Sequence, residues 1–138
     1  MAKEGGGPFS TVAGTRSAGA QARADGAAAR VASLMRDGVT TLAFKSGYGL
    51  DGPTERAMLE AADRIGAAHG VKVARTFLGA HAVPVEYKGR ADEYVDQVVL
   101  PTMSELHAAG LVDAVDAFRE SIGFTPAQTD RVFAHPAA

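Results

Sequence analysis

Two short runs of β-branched and aromatic residues, Thr40-Thr41-Leu42-Ala43-Phe44 and Val71 to Phe77, each stop at a glycine-rich segment. Between and around them the apolar positions change to helical spacing. From about Gly19 to Asp37, Ala27, Val31, Leu34 and Met35 predict a helix with a narrow apolar stripe, and Gly38 is its stop. A second helix opens at Pro53-Thr54-Glu55, carries Met58, Leu59, Ala62 and Ile65 on one face to about His69, and ends at Gly70. A third, from Ala91 to Ala109, turns Tyr94, Val95, Val98, Val99, Met103 and Leu106 inward, and Pro101 is expected to kink or divide it. Val112 to Phe118 reads as a third strand, and Thr125-Pro126-Ala127-Gln128 is a capping box opening a last short helix. The first sixteen residues, with Gly5-Gly6-Gly7-Pro8, read as a polar, non-helical leader or turn. A triple glycine can wrap a phosphate, but here it lacks the preceding strand and the spaced lysine of a P-loop.

Strands alternating with helices predict an α/β fold with parallel strands. Right-handed crossovers place the strands' C-terminal ends on one side, so the loops carrying Tyr48, His81 and Glu120 are expected to share a face. That edge is where parallel α/β folds bind ligands, which makes Tyr48 and His81 the candidate site residues. On pattern alone His81 reads first as a hydrogen-bonded core histidine, and Tyr48 equally as a loop aromatic covering the rim. His69 and His107 sit near helix C-termini, where a cation suits the dipole. Lys45 is expected to be a structural ion-pair partner, and Lys72 and Arg75 part of a solvated face.

Composition narrows the chemistry. A net charge of -2, from 14 Lys and Arg against 16 Asp and Glu, leaves no broad basic surface, so neither nucleic acid nor an anionic membrane is an expected partner. The chain has no cysteine, which removes disulfides, thiolate metal sites and a thiol nucleophile. No apolar run reaches the roughly 18 residues of a membrane span, and the N-terminus lacks a signal-peptide core, so a cytoplasmic location is the default. There is no His-x-His and no His-Glu-x-x-His, and His69, His81, His107 and His135 have no metal-ligand spacing; no metal ligand is assigned.

Four motifs carry a resemblance. They are Gly-Gly-Gly-Pro-Phe-Ser-Thr-Val-Ala-Gly-Thr-Arg (5–16), Gly-Val-Thr-Thr-Leu-Ala-Phe-Lys-Ser-Gly-Tyr-Gly-Leu (38–50), Thr-Phe-Leu-Gly-Ala-His-Ala-Val-Pro-Val-Glu-Tyr-Lys-Gly-Arg (76–90) and Phe-Arg-Glu-Ser-Ile-Gly-Phe-Thr-Pro-Ala-Gln-Thr-Asp-Arg-Val-Phe (118–133). In this order and spacing they resemble the central part of imidazolonepropionase, of the amidohydrolase superfamily. The resemblance implies a partial (β/α)8 TIM-type barrel of about three to four βα units, with residues 1–18 as a glycine-rich leader and 19–138 as the barrel portion. It implies a zinc- or iron-dependent hydrolase of histidine degradation that opens 4-imidazolone-5-propanoate to N-formimidoyl-L-glutamate. A metal-bound water attacks the ring amide in such an enzyme, while Tyr48 and His81 match the family's substrate-contacting tyrosine and histidine, the imidazole donating to a carbonyl.

The departures are as informative. The chain corresponds to about the middle third of a complete member, after the His-x-His pair and before the remaining ligands and the general acid/base carboxylate, so it is expected to be inactive alone. Ala43-Phe44 and Arg119 also differ from common family residues. Two hypotheses follow: a piece of an imidazolonepropionase carrying substrate-side residues, or a non-catalytic α/β interaction module. The expected partners are the small-molecule substrate and, because a three-stranded sheet has two unpaired edges, a second copy or a complementing barrel fragment.

Overall fold

The computed structural model describes residues 8–17, 20–120 and 122–135. Helices α1 (Pro8–Ser17) and α2 (Ala20–Arg36) precede strand β1 (Thr41–Lys45); α3 (Gly52–His69) leads to β2 (Lys72–Ala80). A 3₁₀ turn (Val85–Tyr87) and a long helical segment then lead to β3 (Ala114–Ala117) and α6 (Pro126–Ala134). The long segment is α4 (Ala91–Tyr94), a π-helical turn (Val95–Val99) and α5 (Leu100–Ala108), continuous in αR backbone through Val99 and Leu100. The strands pair in parallel in the order β1-β2-β3, so the expected α/β class and βα alternation are borne out.

Two apolar clusters lie behind the sheet. Ala27 and Val31 of α2 pack on Ile65 and Val71, with Leu42, Phe44 and Val73 of the strands against them. The larger cluster joins Leu50, Leu59, Phe77, Tyr94, Val99, Leu106, Phe124 and Val132. Because strand side chains alternate between faces, Thr41, Ala43 and Lys45 point to the opposite side, where they are exposed. Across that face the Lys45 ammonium reaches Asp116 at 2.6 Å, the ion pair expected of Lys45.

Local chemistry explains the element ends. Asp51 caps α3 by accepting from the Thr54 amide at 2.8 Å, and Gly70 closes the helix at φ +64°, a left-handed angle that favours glycine. The capping box of α6 forms as expected, with Thr125 Oγ1 accepting from the Gln128 amide and the Gln128 side chain accepting from the Thr125 amide.

Several expectations need correction. Residues 8–17 are helical rather than a non-helical leader: Pro8 stands at the helix start, where its missing N–H costs nothing, and Val12 enters the larger core cluster. Gly5 to Gly7 lie outside the described residues. Leu34, placed on the apolar stripe of α2, is 42% exposed. Pro101 stands in the first turn of α5, so the long segment is divided there as expected, but into abutting helical pieces whose backbone stays αR. The preceding turn widens, the Leu100 amide bonding to Val95, five residues back, which makes room for a ring that would crowd the carbonyl four residues earlier. Arg75 is not simply solvated: its guanidinium holds Asp113 at 2.9 and 3.0 Å by two nitrogens and reaches Asp63 at 3.4 Å.

Strand β2 runs on to Ala80 instead of stopping at Phe77. Phe77 pairs with Val115 and Ala80 with Ala117, so Leu78 and Gly79 face the single Asp116 in a bulge. A Cβ on Gly79 would lie 2.4 Å from the Phe77 ring, which explains the glycine.

The salt links set an acid limit. The Arg75 hydrogen bond and the Lys45 hydrogen bond hold the Asp113 and Asp116 carboxyls below the usual carboxylate range. Folded values below the unfolded value of about 3.9 mean stability that is fully present above about pH 4 and lost as pH falls through the folded values. Urea midpoints measured from pH 7 to pH 3 should fall more steeply for the natural chain than for the Asp113→Asn, Asp116→Asn double variant. Equal slopes would show that these pairs carry no acid sensitivity.

Candidate functional site

Where β1 ends, the chain must turn tightly against β2. Ser46 is buried; its amide donates to the Thr76 carbonyl at 3.0 Å and its hydroxyl accepts from the Leu78 amide at 3.1 Å. Gly47 follows at φ +94°, and a Cβ there would lie 2.5 Å from the Leu78 carbonyl oxygen, so conformation and space both demand glycine. A Cβ on Gly49 would come within 2.5 Å of the Thr54 side chain. Leu50 then takes φ 58° while buried, a left-handed conformation that costs a bulky residue on the order of 1–3 kcal/mol.

Glu55 holds this turn in place. It lies in the first turn of α3 with 1% of its surface exposed. Its carboxylate accepts three main-chain hydrogens, from Gly47 at 2.7 Å and from Gly49 and Leu50 at 2.9 Å each. A buried carboxylate is tolerated only when its oxygens are satisfied, and these three donors do that while drawing the loop around the helix end. Arg16 of α1 adds an outer tie, donating to the Gly49 carbonyl at 2.7 Å and pairing with Asp51 at 3.0 Å and Glu86 at 2.5 Å. The Glu86 carboxyl is held below its usual range by its own backbone amide and by Arg16.

The loop so formed presents Tyr48 to His81. Their rings meet edge to face with centroids 4.9 Å apart, and His81 Nδ1 lies 2.8 Å from the Gly47 carbonyl oxygen. The segment just after β3 contributes Phe118, whose ring lies 5.8 Å from that of His81, also edge to face. The expected convergence of loops therefore holds for Tyr48 and His81, while Phe118 reaches the histidine and Glu120 is exposed. Among the described residues neither the Tyr48 hydroxyl nor His81 Nε2 has a hydrogen-bond partner. Beneath them the buried Tyr94 hydroxyl donates to the Gly79 carbonyl at 2.9 Å, and burial pushes its pKa well up, so it stays a neutral donor supporting the bulge. An apolar cavity of about 320 Å³ borders Tyr48 from the helix side, lined also by Phe44, Met58, Ala61 and Ile65.

Among the described residues no three His, Asp, Glu or Cys side chains converge. His69 ends α3, His107 lies near the end of α5, and His135 binds Ser104 at 2.7 Å. Among the described residues no helix is long and apolar enough to cross a membrane.

Sequence reasoning did not find Glu55, Arg16 or Phe118. An acidic residue in a first helical turn reads as a dipole partner, and only the glycines just before it hint that the carboxylate is wrapped by a loop.

A parallel βα sheet with an aromatic, an imidazole and a glycine-shaped loop gathered at its strand ends defines an α/β protein, the class in which ligands commonly bind at that edge. No family model matches the chain. It is 55% identical to the imidazolonepropionase of a Ruegeria species over 133 residues, 96% of this chain and 33% of that protein. The imidazolonepropionases of Ralstonia nicotianae and Pseudomonas entomophila are each 53% identical over 96% of this chain and 33% of their own length. Over nearly its whole length the chain thus corresponds in sequence to a segment of imidazolonepropionase, and it spans about a third of the length of these curated relatives.

Truncating the carboxylate tests how the site is held. Glu55→Ala strands three buried amides at about 1–3 kcal/mol each before relaxation, so a net loss of at least about 3 kcal/mol is expected in urea unfolding. A loss below about 1 kcal/mol would mean that the loop keeps its shape without Glu55.

Proposed function

We propose that this chain supplies the substrate-side segment of an imidazolonepropionase, the hydrolase that opens 4-imidazolone-5-propanoate to N-formimidoyl-L-glutamate in histidine degradation, in the cytoplasm. The observation that carries the reading is the edge-to-face contact of Tyr48 and His81 at the shared C-terminal end of β1 and β2, in a chain 53–55% identical to proteins of that name. Tyr48 and His81 are its substrate-contacting residues: a phenol and an imidazole suit a polar heterocycle, and both have a polar atom unclaimed by the described residues.

On this reading the parallel sheet is part of a (β/α)8 barrel, with 19–138 as the barrel portion and α1 packed against it through Val12 and Arg16. Strand order β1-β2-β3 with right-handed crossovers puts the connecting helices on one face, as a barrel requires. The opposite face carries the exposed Thr41, Ala43 and Lys45, which in a closed barrel would point inward. The complete enzyme would be expected to use zinc or iron, but the residues described here do not fit such a site. Their role is to bind and orient.

An imidazole propanoate, a stable relative of the substrate, should shift the ring resonances of Tyr48 and His81 in NMR spectra. Tyr48→Phe and His81→Ala should each weaken its binding about fivefold to tenfold, the equivalent of one lost hydrogen bond of about 1 kcal/mol. Shifts confined to other residues would remove both from the site.

The uncovered sheet face and outer strands β1 and β3, each paired on one side among the described residues, also favour association with a complementing barrel fragment or a second copy. The chain alone is expected to hold no stoichiometric metal and to show no ring opening; adding the remaining two thirds of an imidazolonepropionase as separate chains should restore turnover. Turnover by the isolated chain would place the catalytic centre within these residues. Failure of every complementing piece to restore it would favour a non-catalytic module.

A further inference from the structure

Among the described residues the His81 ring makes one hydrogen bond to the main chain. Its Nδ1 lies 2.8 Å from the Gly47 carbonyl oxygen, and because a carbonyl oxygen only accepts, the hydrogen of that bond must sit on Nδ1. The neutral ring then presents an unprotonated Nε2, which accepts; it can donate from Nε2 only as the imidazolium. The expectation that His81 donates to a substrate carbonyl therefore does not hold for the neutral ring.

The carbonyl that selects this tautomer belongs to a residue with little freedom. Gly47 is held at φ +94°, its α-carbon packs against Leu78 with no room for a Cβ, and its amide donates to Glu55 Oε2 at 2.7 Å. One side of the residue is thus tied to a buried carboxylate, and the other faces the imidazole. We propose that Glu55 is a positioning residue for His81: by accepting the Gly47 amide hydrogen it aims the Gly47 carbonyl at Nδ1 and so keeps Nε2 as an acceptor for a ligand N–H. Glu55 meets no ligand itself. The ligand class selected presents an N–H at this point, as the ring nitrogens of an imidazolone do. That Nε2 faces the substrate rests on the proposed function; the tautomer and its dependence on Glu55 do not.

The test is a long-range ¹⁵N–¹H correlation of the histidine rings in the 138-residue chain. At a pH of about 8.5, above the ordinary histidine range, His81 should appear as a single Nδ1–H tautomer, the form opposite to the one free histidine favours. In Glu55→Gln its signals should move toward a mixture of the two tautomers, while His69 and His107 and the dispersion of the amide spectrum stay as they were. Should that variant not fold, Glu55→Asp, which keeps the charge but shortens its reach, is read in the same way. An Nε2–H tautomer in the natural chain overturns the assignment. So does a folded variant that loses stability but keeps the pure Nδ1–H form, since Glu55 would then be structural only. No substrate enters the experiment, so a chain that fails to bind imidazole propanoate leaves this result standing, and the wrong tautomer leaves any binding result standing.

Discussion

A carboxylate removed from water must find its hydrogen bonds inside the protein, and Glu55 finds three of them on the main chain of a single loop. Most of the site's shape follows from that requirement. Three amides can converge on one carboxylate only if the loop curls, and the curl explains the positive φ of Gly47 and the left-handed, buried Leu50. Strain at Leu50 is offset by the charge-assisted bond its amide makes. Tyr48 lies between the two glycines whose amides are bound, so its direction is a by-product of how the loop wraps the helix end. Glu55 belongs to a helix packed into the core through Leu59 and Ile65, so the loop inherits that helix's rigidity.

The remaining forces are divided between the two faces of the sheet. Apolar burial holds α2, α3 and the α4–α5 segment against one face. The other is tied by charge, Lys45 reaching across the central strand to Asp116. Exposed pairs of this kind contribute little to stability, on the order of 0–1 kcal/mol, so their effect is mainly to fix how β1 and β3 sit about β2. The bulge at Leu78 and Gly79 has a similar consequence at the strand end. By shifting register it turns Ala80 into the core beside Phe77 and leaves His81 at the loop face, next to Gly47 and Tyr48.

What the sequence made legible depended on whether the determining interaction was local. The opening of α3 near Pro53, its end at Gly70 and the Thr125 box of α6 are written within a few residues, and all appear where local chemistry puts them. The convergence of Tyr48 and His81 followed from strand alternation and handedness alone. Errors arose where a distant partner overrode a local signal. Pro8 with the glycines before it suggested a leader, but Val12 and Arg16 bind α1 to residues more than 30 positions away. Arg75 reads as surface until Asp113 lies beside it, and β2 outruns its apolar run because β3 can pair with a bulged strand. Pro101 marked the division of its helix, but the form it takes, a π-turn leading straight into α5, carries little sequence signature. Glu55 was hidden for a different reason: its type and place have an ordinary explanation in the helix dipole, which hides the specific one.

The distances along the chain bear on how a segment of this length can hold the Tyr48–His81 turn in place. Among the described residues, apart from Arg16 and the Tyr94 hydroxyl that reaches the Leu50 carbonyl at 3.5 Å, the hydrogen bonds that shape the turn begin and end between Ser46 and His81, with separations from 3 to 34 residues. Such bonds close loops of modest length, so their entropic cost is met within this segment and does not require the rest of the chain. A metal centre has the opposite character, because three or four ligands with tight geometric demands must converge, and the described residues bring no such set together. A locally closed turn and a converging ligand set are thus separable along a chain.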